Sequence, residues 1–156
     1  MNINALFRPL AELEKAMAGL YAHLAERFSG DAELAAAFSR LSADERGHGN
    51  LVEYQRRMVQ QNQALAVDLD VDLAELEAVL AAVKALRVAA GPATAEEAIR
   101  KVAALEASAA ETHLKNALKV ARPEIASLLD ALGGDDRAHA GRLAALAAQR
   151  GIALEP

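Results

Sequence analysis

The sequence predicts an all-α fold: a four-helix bundle of two repeated helical hairpins, joined by a long crossover that contains an extra helix. Three observations predict it. Alanine fills 39 of 156 positions, a helix-forming composition. Apolar residues recur at three- and four-residue spacing over long stretches, with no strand-like alternation. The pentapeptides DERGH (44–48) and DDRAH (135–139) are two versions of one motif, 91 positions apart. The length is that of one ordinary domain, taken as residues 1–156.

The first helix is expected over 9–28, opened by Pro9, because proline is tolerated at helix starts and breaks helix interiors. Ser29-Gly30 separates it from a second helix over 31–62. The connection 63–93 carries Leu73, Leu76, Leu80, Val83 and Leu86, the apolar face of an additional helix, and Pro92 closes it. The third helix is expected over 94–120 and the fourth over 123–149, divided by Ala121-Arg122-Pro123. Two hairpins and one long crossover allow all four main helices to lie side by side.

Composition narrows function by exclusion. A net charge of −5 with two tyrosines, three phenylalanines and no tryptophan lacks the basic footprint and stacking rings of a nucleic-acid surface. No apolar run approaches the roughly 18 residues of a membrane span, and no export signal opens the chain, so a cytoplasmic protein is expected. Zero cysteines exclude disulfides, thiolate metal sites and thiol nucleophiles.

The inward stripes carry the chemistry. In the second helix the stripe runs Leu34, Phe38, Leu41, Glu45, His48, Val52; in the fourth it runs Ile125, Leu129, Leu132, Asp136, His139, Leu143, with identical steps. Acid and histidine three apart project from one helix face. The first stripe, Leu10, Glu14, Met17, Tyr21, Leu24, Phe28, and the third, Ile99, Val102, Glu106, Ala109, His113, Val120, each hold one glutamate. Ser42-Ala-Asp-Glu45 also reads as a capping box, which would put a helix start in mid-stripe. Four carboxylates in a helical core are costly, and no lysine or arginine lies on the four stripes to offset them. Two divalent cations would, and oxygen with imidazole suits iron or manganese.

Through ELEKAMAGLYAHLAERF (12–28), LSADERGH (41–48), LEASAAETHL (105–114) and LGGDDRAH (132–139), the chain resembles the ferritin-like superfamily, and within it the rubrerythrin-type di-iron domain. The resemblance implies two iron ions, with manganese or a mixed pair as variants, held by Glu14, Glu45, His48, Glu106, Asp136 and His139. It implies that Tyr21 hydrogen-bonds a ligand carboxylate from the opposite helix; His113, at the repeat-related position, is a supporting donor or an extra ligand. Asp136 stands where a glutamate is usual, just after Gly133-Gly134, and Ala109 stands where many such domains carry another glutamate. The implied activity is oxidoreduction of peroxide or dioxygen. Without cysteine these residues carry no rubredoxin module, so a peroxidase would need an external electron donor. Alternatives are a ferroxidase or iron-sequestering protein, and a helical interaction bundle with a degenerate metal site. A homodimer is expected, because the 73–86 helix lies outside the four-helix core with an apolar face of its own.

Overall fold

The computed structural model describes residues 2–62, 68, 73–88, 94–107 and 138–154. Among these the regular structure is helical, with one isolated bridge between Asn2 and Asp68. The elements are α1 (Ile3–Arg27), α2 (Ala32–Gln61), α3 (Ala74–Val88) and α4 (Ala95–Glu106). Residues 138–149, here α5, are helical as well.

α1 begins six residues before the expected start and holds Pro9 inside it. Asn2 caps it, its side-chain oxygen accepting from the Asn4 N–H at 3.0 Å. A proline within a helix costs about 3 kcal/mol. Ile3, Leu6 and Phe7 are all completely buried, and each such side chain contributes roughly 1.5–3 kcal/mol. Tertiary burial therefore overrides the local breaker.

A short turn at Phe28–Asp31 leads into α2, whose N-cap is Asp31, accepting from the Leu34 N–H at 3.1 Å. α2 is unbroken through residue 45, so the capping-box reading of 42–45 is not realised. Ser42 instead sits buried in mid-helix and donates its hydroxyl to the Ala18 carbonyl at 2.9 Å, pinning α2 against α1. Both helices present the expected stripes to a common core: Leu10, Leu13, Met17, Tyr21 and Leu24 pack with Leu34, Phe38, Leu41 and Val52. Tyr21 stacks on Phe38 with ring centroids 6.2 Å apart.

α3 lies within one residue of the expected start and two of the expected end, and it packs on α1. The Arg87 guanidinium crosses Gly19, lying 2.9 Å from where a Cβ would stand, so glycine makes that approach possible. Leu76, Leu80 and Val83 are buried within the chain. The apolar face on which a homodimer was expected is thus covered by the protein's own core.

α4 starts at Thr94, whose hydroxyl accepts from the Glu97 N–H at 3.1 Å. It delivers Glu106 next to Tyr21. α5 runs antiparallel to α2: His139 lies beside Glu45 at one end, and Arg150 beside Asp31 at the other. Gly151, in left-handed backbone at φ 67°, closes α5, with Ile152 N–H bonded to the Ala147 carbonyl at 2.9 Å. All five described helices thus contribute to one core. The remainder of the expected 94–120 and 123–149 helices, including His113, Pro123, Gly133, Gly134 and Asp136, lies outside the described residues, and so does most of the second repeated hairpin. No helix among the described residues is long and apolar enough to cross a membrane.

Candidate metal centre

The centre is built where the apolar stripes turn polar. Continuing the +3 and +4 steps of Leu34, Phe38 and Leu41 brings Glu45 and His48 onto the buried face of α2. The same steps on α1 bring in Glu14 between Leu10 and Met17. Exposure is 1% at Glu14, 4% at Glu45, 6% at His48 and zero at His139. The Glu106 side chain is 8% exposed.

Glu45 occupies the middle. One of its carboxylate oxygens lies 3.2 Å from His48 Nδ1 and the other 3.1 Å from His139 Nδ1. The two imidazoles stack across it, centroids 5.2 Å apart and planes at 24°. Glu14 closes on His48 Nδ1 at 3.7 Å, and Glu106 on His139 Nδ1 at 3.9 Å. The Tyr21 hydroxyl donates to Glu106 Oε1 in a short hydrogen bond. Five of the six residues expected as ligands therefore converge, together with Tyr21; Asp136 and His113 lie outside the described residues.

The electrostatics follow from this packing. Burial pushes the His48 imidazole down, but hydrogen bonding and charge from Glu14 and Glu45 outweigh it and hold its pKa up at about 11. His139 is opposed by burial in the same way and is raised by Glu45 and Glu106. Burial alone would raise the Glu45 carboxyl, yet His139 and His48 depress it far below the usual carboxylate range. The raised imidazoles and the lowered carboxyl stabilise one another's charged forms.

Two residues outside the inward stripes complete the surroundings. Asp44 Oδ2 lies 3.5 Å from His139 Nε2 and 2.9 Å from Arg142 Nη1. A carboxylate on the far side of a ligating histidine is the usual acceptor for its other ring N–H, and Asp44 is placed on that side of His139. Stripe reasoning passes over Asp44 because it is one residue off the inward face, and its partners lie on α5. The available signal was the repeat itself, since both pentapeptides begin with Asp.

The donor set fits a metal. Among the described residues neither buried ring nitrogen of His139 makes a hydrogen bond, although carboxylate oxygens stand 3.1 and 3.5 Å away. Donor atoms of Glu45, His48 and His139 all lie within 4.8 Å of one another, a grouping able to hold a metal ion. Side chains aimed at a common centre rather than paired in good geometry are what ligation requires. Against known proteins, the family profile described as Rubrerythrin matches residues 11–147. The chain belongs to the rubrerythrin family. No curated protein and no solved structure gives a significant match. The rubrerythrin match runs from within α1 to nearly the end of α5 and contains Glu14, Glu45, His48, Glu106 and His139. Rubrerythrin domains are di-metal, typically iron, proteins of the ferritin-like superfamily, and the helical fold is consistent with that architecture.

Proposed function

We propose that this chain is a non-haem di-iron carboxylate protein that acts as an oxidoreductase towards peroxide or dioxygen. The supporting observation is the convergence of Glu14, Glu45, Glu106, His48 and His139 in one buried cluster, with neither ring nitrogen of His139 hydrogen-bonded among the described residues. These residues would hold the metals, and Asp136 is the sixth donor by its place in the family motif. Manganese or a mixed pair would use the same oxygen and imidazole donors. When bound, a ferrous pair supplies the two electrons that, with two protons, reduce one hydrogen peroxide to two waters.

The chain's own residues set the conditions for that chemistry. Glu45 spans both imidazoles with one carboxylate and so fixes their separation. Tyr21 restrains one Glu106 oxygen through its hydroxyl, and the Asp44 carboxylate stands 3.5 Å behind the His139 ring. Leu13, Leu41 and Val52, all nearly or fully buried, help keep bulk water from the carboxylates and strengthen every charge interaction among them. With no cysteine in these residues, electrons that reset the centre come from a separate donor.

The test is anaerobic titration with ferrous iron, then hydrogen peroxide in one arm and dioxygen in the other, with Glu45→Ala alongside. Two irons per chain, ferric absorption and faster oxidation by peroxide, all lost in Glu45→Ala, are expected. Preference for dioxygen would move the reading to a ferroxidase. Absence of saturable iron binding would sink it and leave a helical bundle with a degenerate site.

A further inference from the structure

A cavity of about 310 Å³ lies on the α1–α2 seam, and the buried Glu45 is one of its walls. Its sides are small: Ala11 and Ala18 from α1, Gly49 from α2. Lys15 and Arg46, both exposed, stand at its mouth, and neither makes an ion pair or hydrogen bond among the described residues. The one acidic side chain at the rim, Glu53, is engaged by Arg56 at 2.9 Å. The local field at the opening is therefore positive on a chain whose net charge is −5.

Gly49 is the informative position. Glycine weakens the interior of a helix, so packing or function should require it. Packing does not: a Cβ there would meet only the Glu14 Cβ, at an ordinary 3.5 Å. A longer side chain at 49, however, would project into the cavity beside Glu14 and Glu45. Small walls, a cationic mouth and a buried carboxylate at the inner side form one path.

We propose that this cavity is the route by which small neutral or anionic oxidants reach the centre, and that Lys15 and Arg46 favour such species over ferrous iron. The inference rests on the di-iron reading and sharpens it, because a mouth that repels divalent cations suits an oxidant-reducing site better than an iron-uptake site.

The experiment loads each protein anaerobically with ferrous iron, measures iron per chain, and follows oxidation by hydrogen peroxide in stopped flow. It then measures association of azide, a small anionic probe, with the oxidised protein as a function of salt. Gly49→Leu should load iron normally and oxidise at least about tenfold more slowly; Ala11→Leu narrows the path from the opposite helix and should act likewise. Gly47→Leu, on the same helix with nothing within 4 Å, serves as the control and should change neither. The surface double variant Lys15→Glu/Arg46→Glu should slow azide association about three- to tenfold and reverse its salt dependence, while neutral hydrogen peroxide stays within about twofold. Wild-type oxidation in an iron-loaded Gly49→Leu or Ala11→Leu variant overturns the route. Unchanged azide kinetics in the double variant overturns the selection. If the unmodified protein binds no iron, the di-iron reading itself has failed and this inference falls with it.

Discussion

Two clusters of charge tie distant parts of this chain together, one inside the bundle and one at its end. At the end, Arg150, just past α5, grips Asp31 at 2.6 and 2.9 Å and reaches Glu33 at 3.3 Å, all three in contact with solvent. Inside, Glu45 meets His48 and His139 at similar distances, with exposures of 6% or less. The geometry is alike and the energetics are not. Solvent screens the outer pair, so its contribution is small whichever partner is lost. The inner charges have no solvent to fall back on, and removing one leaves the others unpaired in a medium of low dielectric. The inner arrangement is therefore the one that a bound cation can exploit, since replacing protons by metal keeps the charge balanced.

The strongest way to break the contrast is with pH. His48 is raised from 6.5 to about 11, so its stabilising charge is complete below pH 6.5 and is lost as pH rises towards 11. Glu45 is lowered from 4.5, so its contribution is present above that value and is lost on acidification. The metal-free protein should melt at its highest temperature between about pH 4.5 and 6.5 and steadily lower from neutrality upward. Iron needs neutral imidazoles, so the iron-loaded protein should show the opposite slope, binding more tightly as pH rises and releasing protons on loading. Parallel slopes for the two forms would place the histidines outside the ligand set.

A middle-sized effect is expected from Tyr21→Phe. It removes the only hydroxyl of that side chain and leaves a Glu106 oxygen without its donor, a hydrogen bond to a charged group of about 1.5–3 kcal/mol. Iron stoichiometry should persist, with a weaker affinity and a shifted ferric spectrum. Identical spectra would mean that Tyr21 merely fills the core against Phe38.

The smallest effect belongs to the outer cluster. Arg150 and the Leu34 N–H lower the Asp31 carboxyl from 3.8 to about 2, so its contribution is present above pH 3.8 and fades as pH falls towards 2. Asp31→Ala should lower the melting temperature slightly at pH 7, more weakly in high salt, and leave iron binding untouched. A loss of iron binding in Asp31→Ala would show that the ends of the bundle are coupled to its centre.

These contrasts also explain what could be read from the residues. The buried stripes of α1 and α2 and the position of α3 were legible, because a long amphipathic helix has few alternatives to burying its apolar face. Convergence of Glu14, Glu45, His48, Glu106 and His139 followed from the same registers. Pro9 misled, since its local penalty is visible in the sequence whereas the burial of Ile3, Leu6 and Phe7 that overcomes it depends on other helices. Asp44 and Arg142 were missed because their pairing joins two helices at positions off the inward face. Gln55 was missed too: it is 1% exposed on the α2 stripe, with neither amide atom hydrogen-bonded among the described residues.

The spacing of the cluster along the chain has a consequence for how the protein is made. Glu14 and His139 are 125 residues apart (139 − 14), whereas Glu14, Glu45 and His48 belong to one local hairpin. At a synthesis rate of about 5–20 residues per second, the last imidazole emerges roughly 6–25 s after the first carboxylate. During that interval the nascent hairpin has the cluster's first carboxylates and only one of its two imidazoles, His48, and α4 and α5 are not yet there to close over them. The five side chains can come together only after α5 has docked, so the cluster is completed at the same moment as the helices that cover it.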